Sequence, residues 1–113
     1  MKFDRSLLSG STRLLVLALL AEGDCYGYQI IRTLARRSEE VFAFQEGTLY
    51  PVLHKLEQDG CVRSYEKESE GRRRRYYTLT GRGRKQLEEE KAQWRTFQWA
   101  VDRVIGGEAY GLA

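Results

Sequence analysis

Gly47-Thr48-Leu49-Tyr50-Pro51-Val52-Leu53-His54-Lys55-Leu56-Glu57 is followed, after a short interval, by Glu70-Gly71-Arg72-Arg73-Arg74-Arg75-Tyr76-Tyr77-Thr78-Leu79-Thr80. In the first stretch Leu49, Val52, Leu53 and Leu56 recur at helical spacing and form one apolar face. Thr48, Pro51, His54, Lys55 and Gln58 fall on the opposite face, with Tyr50 at the boundary. Pro51 has no amide hydrogen, which is harmless only in a first turn, so the helix is expected to start near Gly47 or Thr48. Gly60 is the expected stop. The second stretch reads as a hairpin, with strands over Cys61 to Lys67 and Arg72 to Leu79 and a turn at Ser69-Glu70-Gly71. Alternation puts Tyr77 and Leu79 on one face and Tyr76 and Thr78 on the other. A short amphipathic helix beside a cationic β-ribbon is the pairing that places one element in a DNA groove and clamps neighbouring phosphates with another.

Size and charge narrow the field. A chain of 113 residues supports one domain with one modest core. Its net charge is only +3, but the charge is unevenly spread: residues 61–85 hold nine basic and three acidic side chains, a local excess of +6. Glu66, Glu68 and Glu70 cannot balance nine cations, so a polyanion-binding surface is favoured over a solvated turn. Cys25 and Cys61 stand far apart, and the chain has one histidine, too few ligands for a metal site. With no secretory leader visible, two thiols point to a reduced, cytoplasmic setting. The longest apolar run, Leu14 to Ala21, is too short to cross a bilayer and reads as a buried helix.

Outward from the central stretch, Ser9 or Ser11 offers a cap for a helix through Leu14, Leu15, Leu17, Ala18 and Leu20 that stops at Gly23. Asp24 offers a cap for a second helix starting near Tyr26, with Ile30, Ile31 and Leu34 inward and Arg32, Arg36 and Arg37 outward. Val41, Phe42 and Phe44 are apolar plugs in the connection to the third helix. Thr80 is the expected cap of a long last helix running to Ile105, before Gly106-Gly107. Leu87, Trp94 and Val101 lie seven apart, Phe97 and Val104 supply alternate positions, and Glu90 interrupts them. This short heptad seam is expected to pair with its counterpart in a second chain. The expected fold is mainly α with a small β-hairpin (α+β). A winged helix-turn-helix occupies residues 1–80, a C-terminal dimerisation helix residues 81–107 and a tail residues 108–113.

On this layout the DNA-binding candidates are Thr48, Tyr50, Pro51, His54 and Lys55 on the groove-reading helix and Arg72, Arg73, Arg74 and Arg75 on the wing. Thr48 is placed to bond a base or phosphate, and Lys55 a phosphate. Tyr50 either packs on the sugar-phosphate wall or fills the edge of the core. His54 is either a base contact or an ordinary exposed histidine. Trp94 and Trp99 read first as dimer packing, with Leu87, Phe97, Val101 and Val104 as the other interface candidates. Two indoles brought together across a dimer axis can also sandwich a flat aromatic effector. No Ser–His–acid grouping or paired-carboxylate motif stands out. Gly81 and Gly83 lack the ending of a phosphate loop, so neither an enzyme nor a cofactor is expected. Two rivals remain: a winged-helix module that binds an acidic protein partner, and a redox switch at Cys25 or Cys61.

The chain resembles the PadR family of transcriptional regulators, in the small subclass with a single C-terminal helix. The resemblance rests on Leu15-Val16-Leu17-Ala18-Leu19-Leu20, Tyr26-Gly27-Tyr28-Gln29-Ile30, the Gly47 to Leu53 block, Leu56-Glu57 with Gly60, and the Gly71 to Thr80 wing. It implies a homodimeric repressor bound to a double-stranded operator and released when a small molecule binds or conditions change. Some members hold flat aromatic compounds or drugs between their arms, and Trp94 falls where such members can carry a tryptophan. The family pattern often has an acidic residue where Gln29 stands here.

Overall fold

The structure is a computed structural model that describes the backbone of residues 5–106 and side chains from residue 10 onward. Residues 1–4 and 107–113, including the expected tail at 108–113, lie outside the described residues. The elements in order are α1 (Arg5–Leu20), β1 (Cys25–Tyr26), α2 (Gly27–Arg37), α3 (Glu46–Gln58), β2 (Val62–Ser69), β3 (Arg72–Leu79) and α4 (Gly81–Ile105). Among the described residues, four helices and one small antiparallel sheet make an α+β winged helix-turn-helix with a long last helix.

The apolar run of α1 is the hub of the core, with Val16 and Leu17 at 0% exposure and Leu20 at 1%. Ser9 and Ser11 do not cap this helix; both lie inside it. Serine and glycine are weak helix formers rather than breakers, and an interior glycine such as Gly10 costs only about 1 kcal/mol. Packing of the apolar face downstream outweighs that.

Asp24 does not cap α2 either. The N-cap is Tyr26, whose amide donates to Gln29 Oε1. Cys25 and Tyr26 form a strand, pairing Cys25 with Tyr77 and Tyr26 with Tyr76. The sheet therefore has three strands in the order β1-β3-β2, where the sequence pointed to a two-stranded hairpin. A two-residue strand has no alternation to read, and its partner lies some fifty residues on. Arg32, Arg36 and Arg37 are exposed on α2, and Arg37 clamps both Glu22 carboxylate oxygens. In the connection Phe44 is buried and Phe42 stacks on it.

The third helix starts earlier than expected. Gln45 is its N-cap, and the amides of Thr48 and Leu49 both donate to the Gln45 carbonyl. Pro51 thus sits beyond the first turn, and the Gly47 carbonyl lacks its usual i+4 donor. Gly47 itself is exposed. The helix ends as expected at Gly60, in the left-handed region at φ +78°. Cys61 N donates to Leu56 O at 2.9 Å and Gly60 N to Glu57 O at 3.0 Å, the paired bonds of a Schellman ending.

Strands β2 and β3 pair from Val62↔Leu79 out to Ser69↔Arg72. The turn is Glu70-Gly71 alone, with φ of 53° and 75°. Both angles are positive, as a two-residue turn matched to the strand twist requires, so Ser69 belongs to the strand and not to the turn. Tyr77 and Leu79 share the core face, at 1% and 7% exposure. Tyr76 faces the other way yet is also buried, because Tyr26 meets it edge-on at 5.4 Å and Tyr65 stacks on it at 5.8 Å.

Thr80 caps α4, its Oγ1 accepting from Gly83 N at 3.0 Å while donating to the Gly60 carbonyl at 2.7 Å. A methyl on Gly83 would fall 2.1 Å from the Cys61 carbonyl oxygen, so the first turn of α4 lies against the start of β2 only because residue 83 is glycine. Leu87 is buried, but from Trp94 onward the large apolar side chains of the helix are exposed. The described molecule measures 57 × 31 × 21 Å, elongated by this arm.

Candidate nucleic-acid interface

Helix α3 turns Leu49, Leu53 and Leu56 into the core and leaves Thr48, Pro51, His54, Lys55 and Gln58 exposed. Tyr50 is half-buried. Its ring lies on Gly27, where an added methyl would come within 2.3 Å of the Tyr50 hydroxyl oxygen. The residue therefore belongs to the seam between α2 and α3, and only its rim reaches solvent. Lys55 lies 3.4 Å from Asp59 one turn on.

The ribbon is joined to α3 by the Gly60 turn and by a hydrogen bond from Ser64 Oγ to Glu57 Oε2 at 2.8 Å. Its register divides the four arginines. Arg73 and Arg75 share the core-side face with their cross-strand partners Glu68 and Glu66. Glu66 takes the Arg73 guanidinium directly and Arg75 at 3.9 Å. Hydrogen bonding from Arg73 holds the Glu66 carboxyl below its ordinary value. Arg72 and Arg74 occupy the outer face with Lys67 and Arg63. There Arg74 stacks over Tyr26 at 4.4 Å and Lys67 over Tyr76 at 5.0 Å.

One constellation escaped the sequence reading. Arg13 of α1 reaches Asp59 at the end of α3 (3.1 Å) and Glu90 of α4 (3.0 Å), and Gln86 steadies the same Glu90 oxygen at 2.9 Å. Desolvation opposes the Arg13 charge, but hydrogen bonds to Glu90 and Asp59 outweigh it and raise its pKa. Arg13 thus ties the end of α3 to α4. Its partners lie 46 and 77 residues away, beyond any local pattern.

On the arm, Trp94 and Phe97 (ring centroids 6.2 Å apart) line a groove of about 520 Å³ with Gly10, Ser11, Leu14, Glu90 and Gln93. Trp99 does not line it; Arg103 lies over its ring at 5.2 Å. Val101 and Val104 are exposed. Leu87, expected on the dimer seam, is 3% exposed and packs in the chain's own core, because the head still flanks α4 at that level. Cys25 and Cys61 are unpaired and buried, and burial pushes the Cys25 thiol up.

Comparison with known proteins gives this geometry a family. The model of the transcriptional regulator PadR-like family matches residues 16–89, well over half of the chain. The chain belongs to that family. This PadR-like chain is 33% identical over 106 residues to the transcriptional regulator Rv3488 of Mycobacterium tuberculosis, an alignment that covers 94% of both. Among solved structures it is similar to a transcriptional regulator from Clostridium thermocellum, with a TM-score of 0.85 at 29% identity over 92% of this chain and 99% of that one. A PadR family transcription regulator from Clostridium difficile gives a TM-score of 0.75 at 34% identity, over 86% and 100% of the two chains. The chain is a transcriptional regulator of the PadR family with the winged-helix fold of its relatives. The family match stops at Glu89, so the exposed half of the PadR arm lies beyond it. Among the described residues no helix is long and apolar enough to cross a membrane.

Proposed function

We propose that this regulator is a homodimeric repressor that binds a double-stranded operator in the cytoplasm. Residues 1–80 form its DNA-binding head and residues 81–107 its dimerisation arm. The observation that carries the reading is the exposed polar face of α3, with Thr48, Pro51, His54 and Lys55, joined by one turn to a ribbon bearing Arg72 to Arg75. A B-DNA major groove admits such a helix, and the ribbon supplies cations for the flanking backbone. Tyr50 sets the angle between α2 and α3 and offers only its rim to the sugar-phosphate wall.

Dimerisation is supported by the arm. Trp94, Phe97, Trp99, Val104 and Ile105 expose between 45% and 86% of their surface on one helix, a density of apolar surface that marks a contact site. A two-fold pair of heads would meet half-sites about one helical turn, roughly 34 Å, apart. A flat aromatic effector stacked on Trp94 in the groove would rotate the heads and spoil that spacing. Glu90 lines the groove and also holds Arg13, which offers a physical route from effector to α3.

The test is retention of operator duplex by the full chain as salt is raised, with its size measured in parallel by light scattering. Sequence-selective, salt-sensitive binding by a dimer is the expected result. Binding to acidic proteins but not to duplex would favour the interaction-module reading. Titration with a panel of aromatic compounds should quench Trp94 fluorescence, and no response to any of them would remove the effector from the reading.

A further inference from the structure

The two faces of the ribbon are chemically unlike. The outer face consists of Arg63, Tyr65, Lys67 and Ser69 on β2 and Arg72, Arg74, Tyr76 and Thr78 on β3. Four of these described residues are cationic and none is acidic. The core-side face sets Arg73 and Arg75 against Glu68 and Glu66 and is neutral in sum.

The contacts sharpen the difference. Arg73 and Arg75 turn their guanidinium N–H groups toward Glu66, which satisfies donors and charge together. Arg74 and Lys67 are held instead by ring faces, those of Tyr26 and Tyr76. A ring quadrupole orients a cation without cancelling its charge, and a stacked guanidinium keeps its N–H edge free for an oxyanion. The rings are themselves braced, since Tyr76 is packed between Tyr26 and Tyr65. Asp24, at the root of this face, accepts from the Tyr65 hydroxyl at 2.6 Å and keeps its negative charge, which acts on Lys67 but lies outside the strands. Glu70 sits in the turn and belongs to neither face.

We infer that the phosphate-gripping surface of the wing is its outer face, made by Arg63, Lys67, Arg72 and Arg74, and that Arg73 and Arg75 contribute little to DNA affinity. The inference rests on the reading of the protein as a DNA-binding regulator and specifies which side chains do the binding. Surface ion pairs are weak enough to open. Any phosphate approaching Arg73 or Arg75 must nevertheless come close to Glu66 and Glu68, whose charge repels it. On the outer face no strand carboxylate opposes the approach.

The experiment compares three double variants of the full chain, R72A/R74A, R63A/K67A and R73A/R75A, in binding to the same duplex over a series of salt concentrations. Each lost phosphate contact flattens the dependence of log affinity on log salt by about 0.9. Both outer-face variants should flatten the slope by roughly 1.8, and R73A/R75A by less than half of that. E66Q/E68Q should steepen the slope, because it releases the two core-side arginines. Circular dichroism and melting confirm that each variant is folded, and R72K/R74K, which keeps the charge if alanine unravels the ribbon, should hold the unaltered slope. Flattening by R73A/R75A that equals or exceeds that of R72A/R74A would overturn the face assignment while leaving DNA binding intact. Failure of the unaltered protein to retain duplex at any salt would overturn both readings.

Discussion

Leu87 and Trp94 stand one heptad apart on the same helix, yet the first is 3% exposed and the second 45%. At Leu87 the helix still lies against the head, and the leucine joins Leu17, Leu53 and Tyr77 in one core. Beyond Glu90 the same helix faces Gly10, Ser11 and Leu14 of α1 across an open groove, and its large apolar side chains stay exposed. The difference separates two parts of one element: the head closes its core with its own chain, whereas the outer arm leaves large apolar side chains exposed among the described residues. A heptad pattern read along the helix does not distinguish them.

The largest expected effect lies on the head side of that boundary. Leu53 is fully buried in the core of the head, so Leu53→Ala should destabilise folding by about 3 kcal/mol through lost burial and the cavity left behind. Denaturant titration measures it. A loss below about 1 kcal/mol would mean that the head core relaxes freely and is less self-sufficient than the contrast with the arm implies.

Phe97→Glu tests the arm. The ring is 61% exposed in the single chain, so the substitution should leave the melting of the head nearly unchanged. It should weaken self-association at least tenfold, about 1.4 kcal/mol, as followed by sedimentation at graded concentrations. Unchanged association would show that the apolar arm is covered by something other than a second copy.

What was legible in the sequence divides along similar lines. The inward face of α3, the Gly60 ending, the Thr80 cap and the shared face of Tyr77 and Leu79 all follow from neighbours a few residues apart, where helix and strand periods apply. The strand at Cys25–Tyr26 was not legible, because its hydrogen bonds run to Tyr76 and Tyr77 and two residues carry no period. Asp24 looks like a helix cap until Tyr65 takes its carboxylate from forty-one positions away. Leu87 fits a seam by spacing, and only the placement of α1 and β3 beside α4 assigns it to the core. In the candidate site the arginine run was plain, while its division between two faces needed the register of β2 against β3.

Arg13 lies where the two regions meet and should have an intermediate effect. Its side chain is 32% exposed, and its guanidinium donates to Asp59 and Glu90, linking α1, the end of α3 and α4. Arg13→Met keeps most of the stem, removes both charge-assisted bonds and leaves two carboxylates near each other. A loss of about 1 kcal/mol is expected, discounted for the solvent at this site. Coupling between Arg13→Met and Glu90→Gln in a double-mutant cycle should be clearly different from zero, and strict additivity would show that head and arm are joined by packing alone.

The smallest effect belongs to the outer rim of the head, where Tyr65 donates to Asp24. That hydrogen bond is the main reason the Tyr65 pKa rises from 10.0 to about 12, and it also holds the Asp24 carboxyl below its ordinary value of 3.8. The two signs define a window. For Tyr65 the folded pKa is raised, so its share of stability is complete below pH 10.0 and is lost as pH climbs through about 12. For Asp24 the folded pKa is depressed, so its share is present above the ordinary carboxylate value and disappears as acid protonates the group. Ultraviolet titration of phenolate, with Tyr65→Phe as the difference reference, should show one tyrosine ionising well after an ordinary tyrosine. Asp24→Asn should bring it back toward 10.0. If Tyr65 ionised with an ordinary pKa in the unaltered protein, the root of the ribbon would not be tied to the segment before β1. The self-closing character of the head would then stop at its buried core and not extend to this rim.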